Sequence, residues 1–192
     1  MRNTELTLLF FLANILFLFS CEVQQNEPVQ LSRTQQVEQK AKEYFDTFAG
    51  RTDWEKLCSF YREDLLFQDI ALQLNLDSLW KFKRFYNWDG EGDSFKKLSP
   101  EQKHLNLETL AVNDSVAVAR GRINPFYYDG NLVDVAWGME FTIWLYFDQD
   151  LKIKRQIDWM EYDPFVLESV VKRCRENGHK AIPTWLDLSK SE

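Results

Sequence analysis

The stretch LVDVAWGMEFTIWLYF, residues 132–147, alternates along its whole length. Val133, Val135, Trp137, Met139, Phe141, Ile143, Leu145 and Phe147 fall on one side, and Asp134, Ala136, Gly138, Glu140, Thr142, Trp144 and Tyr146 on the other. Strand side chains point to opposite faces at a period of two, so this is a long strand with one strongly apolar face. Gly138 marks a bend or bulge within it. On the N-terminal side, Tyr128-Asp129-Gly130-Asn131 is a turn. Val116, Val118, Arg120 and Arg122 alternate before it with Ala117, Ala119, Gly121 and Ile123. Asn113-Asp114 turns back to Leu105, Leu107 and Thr109. On the C-terminal side, Asp148-Gln149-Asp150 leads into residues 151–162. From His104 onward the chain is an antiparallel meander.

Ahead of the meander the period becomes helical. Ser32 and Gln35 have capping-box spacing, followed by Val37, Ala41, Tyr44, Phe45 and Phe48, with Gly50 as the stop. Thr52 and Glu55 repeat the spacing ahead of Trp54, Leu57, Cys58 and Tyr61. Residues 65–72 form a short strand, and Asp77 caps a third helix that turns Leu79, Phe82, Phe85 and Tyr86 inward. Residues 87–102 read as a loop. Its acidic run, residues 89–93, fails as a calcium loop, because Ser94 stands where glycine is needed and Pro100 where the bidentate Glu is needed. Pro164 opens a final helix that Gly178 ends.

The 192 residues suffice for one domain. They are 45% hydrophobic and 15% aromatic, more apolar than a disordered chain. The net charge of −7 argues against nucleic acid as a partner and gives no electrostatic draw to an anionic membrane. With no CxxC, and only His104 and His179 as histidines, no zinc site of the usual kind is expected, and no other metal or cofactor. Cys58 and Cys174 leave two readings open, a disulfide or buried thiols.

Residues 6–20, LTLLFFLANILFLFS, form an apolar run too short to span a bilayer comfortably, with Arg2 before it and a small residue at its end. An ordinary secreted leader and an uncleaved signal anchor share such a run. Leu18-Phe19-Ser20-Cys21 resembles the lipobox of bacterial lipoproteins. That resemblance implies a signal peptide (1–20), lipid on Cys21, and a cell-envelope location held by that lipid. Residues 21–33 are then a lipidated, polar tether. Removing the leader takes away Arg2 and Glu5 together, so the charge is unchanged.

Two further segments carry a resemblance to the nuclear transport factor 2-like superfamily, which includes the SnoaL-like polyketide cyclases and ketosteroid isomerases. One is Ile153-Lys154-Arg155-Gln156-Ile157-Asp158-Trp159, similar to the family's closing strand. The other is residues 61–69, YREDLLFQD, where a tyrosine at a helix end runs into a short strand with an acid. The order of elements over residues 34–163 also fits, while residues 164–192 lie outside the pattern. The resemblance implies an α+β fold: a curved antiparallel sheet forming a cone packed on the N-terminal helices, plus a C-terminal helix. It also implies pairing of two copies through the outer face of the sheet.

The same resemblance points to an acid inside the cone. Asp158 is the first candidate, as general acid or base; the alternative is a solvent-facing Asp in a charged strand. Asp69 and Tyr61 are its candidate assistants, against the alternatives of a strand-end cap and a core tyrosine. Trp54, Trp144, Trp159, Arg122 and Glu140 are candidate pocket residues, with Trp137 beside them. No Asp-Arg-Asp arrangement accompanies Arg122, which speaks against epoxide hydrolysis. Three functions follow: binding of a small apolar ligand or a protein partner, which is favoured; enzymatic isomerisation, cyclisation or dehydration at Asp158; and a structural envelope component dimerising through its sheet.

Overall fold

The computed structural model describes residues 30–86, 95–128, 130–133, 139–164, 167, 168 and 172. The chain divides at Gln30/Leu31, and every element below lies in the second unit. Cys21, Trp137, Gly138 and Cys174 fall outside the described residues, as do the leader and the acidic run 89–93.

Helix α1, Arg33–Gly50, has the capping box expected of it. Ser32 Oγ accepts from Gln35 N, and Gln35 Oε1 accepts from Ser32 N at 2.8 Å. Val37, Ala41, Tyr44, Phe45 and Phe48 are buried along one face. The left-handed cap is Arg51 (φ 50°) rather than a glycine, and its guanidinium lies 3.8 Å from the centre of the Phe95 ring. Helix α2, Trp54–Ser59, is capped by Asp53, one residue after the expected Thr52. A carboxylate accepts from Lys56 N there and also complements the positive helix end. Tyr61, expected on this helix, instead opens strand β1, Tyr61–Asp69. Strand β2, Leu74–Leu76, folds back on β1, and helix α3, Leu79–Tyr86, packs on β1.

The expected loop 87–102 contains a strand, β3, Phe95–Lys97. Strands β4, Leu105–Val112, and β5, Val116–Ile123, meet at a turn closed by Asn113 Oδ1, which accepts from Ser115 N and Val116 N. Strands β6, Phe126–Tyr128, and β7, Asn131–Val133, join through Gly130, whose φ of +79° suits a residue without a Cβ. Of the long alternating run, Leu132 and Val133 belong to β7 and Met139–Phe147 form β8, in different sheets, while residues 134–138 lie outside the described residues. Strand β9, Ile153–Met160, follows a turn held by Asp148 Oδ1, which accepts from Asp150 N and Lys152 N. Pro164, Leu167, Glu168 and Lys172 are helical, and Leu167 packs on the core.

Six strands form one sheet in the order β2-β1-β9-β8-β5-β4, and β3-β6-β7 form a second. The large sheet is mixed, not antiparallel as expected. The meander ends on a strand that runs alongside β1, so β1 and β9 pair in parallel. Register shifts interrupt the β1–β9, β4–β5 and β8–β9 pairs. Such shifts bend strands and let the sheet curve. The bend places Gly121 where a Cβ would sit 2.1 Å from Asn106 O and 2.6 Å from the Phe141 ring. Phe141, Ile143, Leu145 and Phe147 of β8 enter the core with the buried face of α1, and Phe45 stacks on Phe141. Among the described residues, no helix is long and apolar enough to cross a membrane.

Candidate functional site

Parallel pairing of β1 with β9 sets Asp69 opposite Asp158 and Phe67 opposite Gln156. Across the other edge of β9, Asp158 faces Ile143 and Gln156 faces Leu145. The pleat sends Leu65, Phe67 and Asp69 to the same face as Gln156 and Asp158, and all five are essentially inaccessible to solvent. Asp158 is 0% exposed and Asp69 is 1% exposed. Asp158 therefore faces inward, and the alternative of a solvent-facing acid is set aside. A backbone bond from Ile70 N to Asp158 O (2.9 Å) ties the strand ends together.

Both oxygens of Asp158 accept hydrogen bonds: Oδ1 from Gln156 Nε2 at 2.8 Å, Oδ2 from the Tyr86 hydroxyl at 3.0 Å. Asp69 accepts from Leu72 N at 2.8 Å, which closes the β1–β2 turn, and from the Tyr162 hydroxyl at 2.5 Å. Asp69 is thus both a turn cap and a member of the buried acid pair. Tyr61 also points inward, but its hydroxyl donates to Gln156 Oε1 at 2.7 Å. The Tyr44 hydroxyl lies 2.8 Å from that of Tyr61 and 3.1 Å from the same Oε1.

Electrostatics separates the two acids. Burial pushes Asp158 up to about 8, the neighbouring Asp69 adds to the rise, and the Gln156 and Tyr86 donors oppose it. Burial pushes Asp69 to about 6, against the donors Tyr162, Leu72 and Ala71. Burial also holds Tyr61 and Tyr86 well above the ordinary tyrosine range. Near neutral pH, Asp158 is largely a proton donor and Asp69 largely a carboxylate. Two neighbouring carboxyls with different proton affinities can divide acid and base roles.

Aromatic rings surround the pair. Phe82 lies 4.7 Å from both Tyr61 and Tyr86, and Phe67 packs on Phe82, Phe85 and Tyr86. Trp54 stacks on Phe82 at 6.2 Å and so belongs to this wall. Four other pocket candidates do not. Trp144 and Trp159 are 41% and 65% exposed, because the pleat that turns Ile143 and Asp158 in turns their neighbours out. Arg122 and Glu140 form the expected cross-strand pair (2.9 Å), but on that same outer face, where Arg120 and Glu108 extend it into a charged cluster. Among the described residues, no group of three or more His, Cys, Asp or Glu is placed to hold a metal.

Gln156, Tyr44, Tyr86 and Tyr162 belong to the site without being among the residues expected there. Gln156 had a signal: it lies two positions from Asp158 on one strand, hence on one face. Tyr44 and Tyr86 were legible only as helix-face apolar residues, and nothing local marks Tyr162.

No protein-family model matches the chain, and no curated protein sequence does. Solved structures do match. PrhC from Penicillium brasilianum NBRC 6234 is 12% identical with a TM-score of 0.54, covering 77% of this chain and 93% of that one. A protein assigned as a SnoaL-like polyketide cyclase from Shewanella putrefaciens CN-32 is 18% identical with a TM-score of 0.53, covering 69% and 93%. An NTF2-like protein from Anabaena variabilis ATCC 29413 is 15% identical with a TM-score of 0.50, covering 71% and 97%. At such identities the likeness is one of fold: the described elements from Arg33 to Met160 share the fold of these NTF2-like and SnoaL-like structures.

Proposed function

We propose that this domain performs acid–base chemistry on a small, mainly apolar carbonyl compound taken in beside β1 and β9, with Asp158 exchanging the proton. The observation that carries the reading is the pairing of Asp69 with Asp158, both buried on adjacent strands within an aromatic wall. Unpaired burial of a charge is costly, so two acids side by side in a core serve stability poorly and chemistry well. The polyketide-cyclase assignment of a structure with this fold supports the same class of reaction. The minor fraction of Asp158 that is ionised near neutral pH takes a proton from the carbon beside the carbonyl, and the C–H electron pair becomes the enolate. The proton then returns to another carbon or to the enolate oxygen, with no net oxidation. Tyr86 and Tyr162 are only half-buried, so they are the side chains that must shift for a substrate to enter.

A second reading, binding without chemistry, is favoured by one observation. Asp158 is fully enclosed and both its oxygens are already hydrogen-bonded. One experiment separates the two. The purified protein is incubated with cyclic β,γ-unsaturated ketones and 1,3-diketones in heavy water, and deuterium incorporation is followed by proton NMR. Native mass spectrometry of the same preparation reports any retained molecule. Exchange that disappears in Asp158→Asn supports catalysis; a retained ligand without exchange supports binding; neither result in the wild type overturns both.

Location belongs to the proposal as well. Cys21, with the run before it, supports a lipid-anchored envelope protein, and the expected 21–33 tether would end where Ser32 caps helix α1. A second copy is the proposed partner for the outer sheet face, where Leu66, Trp144 and Trp159 stand exposed. Sedimentation of the wild type against a Trp144→Lys, Trp159→Lys variant checks that.

A further inference from the structure

Gln156 is wholly buried on β9. A primary amide in such a place has two orientations, which offer Asp158 either an N–H or a carbonyl. The Tyr61 and Tyr44 hydroxyls both converge on its Oε1, at 2.7 and 3.1 Å. Two phenol donors on the oxygen turn the nitrogen toward Asp158, where it donates to Oδ1 at 2.8 Å. With Tyr86 on Oδ2, Asp158 meets donors on both oxygens, a setting made for a carboxylate. The reversed amide would instead accept a proton held by Asp158 and present its nitrogen to the phenols. Tyr44 and Tyr61 lie 2.8 Å apart and can donate one to the other, which leaves the second hydroxyl hydrogen without an acceptor in that arrangement.

We propose that Tyr44, Tyr61 and Gln156 form a positioning relay: the two tyrosines lock the amide, and the locked amide favours the ionised form of Asp158. The tyrosines act through Gln156, to which their hydroxyls are bonded. The other titratable groups gathered here are Cys58 from α2, Asp69 from β1, Tyr86 from α3 and Tyr162 beyond β9. The relay deepens the reading of Asp158 as the working group and rests on it for its purpose. The ionisation itself is measured without substrate, so the two ideas can fail separately.

The test is a carboxyl carbon-13 NMR titration of the purified protein, with the Asp158 signal assigned by its loss in Asp158→Asn. Tyr44→Phe and Tyr61→Phe each leave one donor on Oε1 and should move the midpoint little. The double variant removes both donors, and Gln156→Met removes the amide. Each should raise the midpoint by about one pH unit or more, a tenfold change in ionisation constant. A double variant with intact near-ultraviolet circular dichroism and an unmoved midpoint overturns the relay. Should the double variant not fold, Gln156→Met decides alone, and an unmoved midpoint there overturns it equally. Deuterium exchange absent from the wild type, together with a shifted midpoint in the variants, would leave the relay standing and remove the catalytic reading.

Discussion

Replacing Asp158 with Asn should make the protein more stable in base and less stable in acid. The native pKa of about 8 lies above the ordinary carboxylate value, because burial and Asp69 disfavour the charge. Between those two values the native state binds a proton that the unfolded chain has released. Asp158 therefore supports stability fully below about pH 4, and that support is lost as pH rises through about 8. One bound proton corresponds to about 1.4 kcal/mol per pH unit, so from about pH 5 to about pH 8 the wild type should lose roughly 3–4 kcal/mol relative to the variant. The Asn amide cannot accept from both Gln156 and Tyr86, and one mispaired buried group costs about 1–3 kcal/mol at every pH. The two stability curves should therefore cross. Urea unfolding of both proteins at half-unit pH intervals reads the difference directly, and every ionisation not coupled to Asp158, as that of Asp69 is, cancels in it. Parallel curves would show that Asp158 has the same charge in the folded and unfolded states over this range, so that its pKa is not raised, and the acid–base reading would fall with it.

Three other predictions concern different parts of the chain. His104 is wedged among Phe48, Phe95 and Phe126 with Nδ1 unsatisfied, and burial, then Arg51 and Lys97, hold its pKa well below 6.5. The unfolded chain takes up this proton first as pH falls, so stability should decline below about pH 6.5 by up to about 1.4 kcal/mol per unit, and His104→Phe should flatten that limb in acid melts. Gly121→Ala drives a methyl into Asn106 O and the Phe141 ring, so it should cost about 3 kcal/mol or more, read as a lowered urea midpoint. Cys21→Ala should move the protein from the membrane to the soluble fraction and abolish labelling by a palmitate analogue; membrane association that persists would argue against acylation.

The inward and outward faces of β8 were legible in residues 132–147 because a strand packed on a core through one face must alternate. That pattern did not reveal which element lies beside β9. The parallel β1–β9 pairing joins the first strand to the last, far apart in the chain, and no local period encodes it. The site inherited this division. Asp158 and Asp69 stood out as acids among apolar neighbours, yet their adjacency depends on the long-range pairing. Trp144 and Trp159 were misplaced for a related reason: large aromatics suggest a pocket, but the side of the pleat is set by their neighbours. Gln156, Tyr44 and Tyr86 were hidden because a neutral polar group acquires a role only through its partner.

The pairing of β1 with β9 has a kinetic consequence. The helices and the β4–β5 and β6–β7 hairpins involve residues close in the chain, whereas the acid pair joins residues 69 and 158, far apart in it. Contacts of such long range incur the largest loop-closure cost and tend to be late in assembly. A chain emerging from synthesis cannot bring Asp69 and Asp158 together until its last strand is available. The repulsion between them is then met by a sheet whose other strands can already be joined, and chains cut short before β9 should hold an open sheet edge with no acid pair at all.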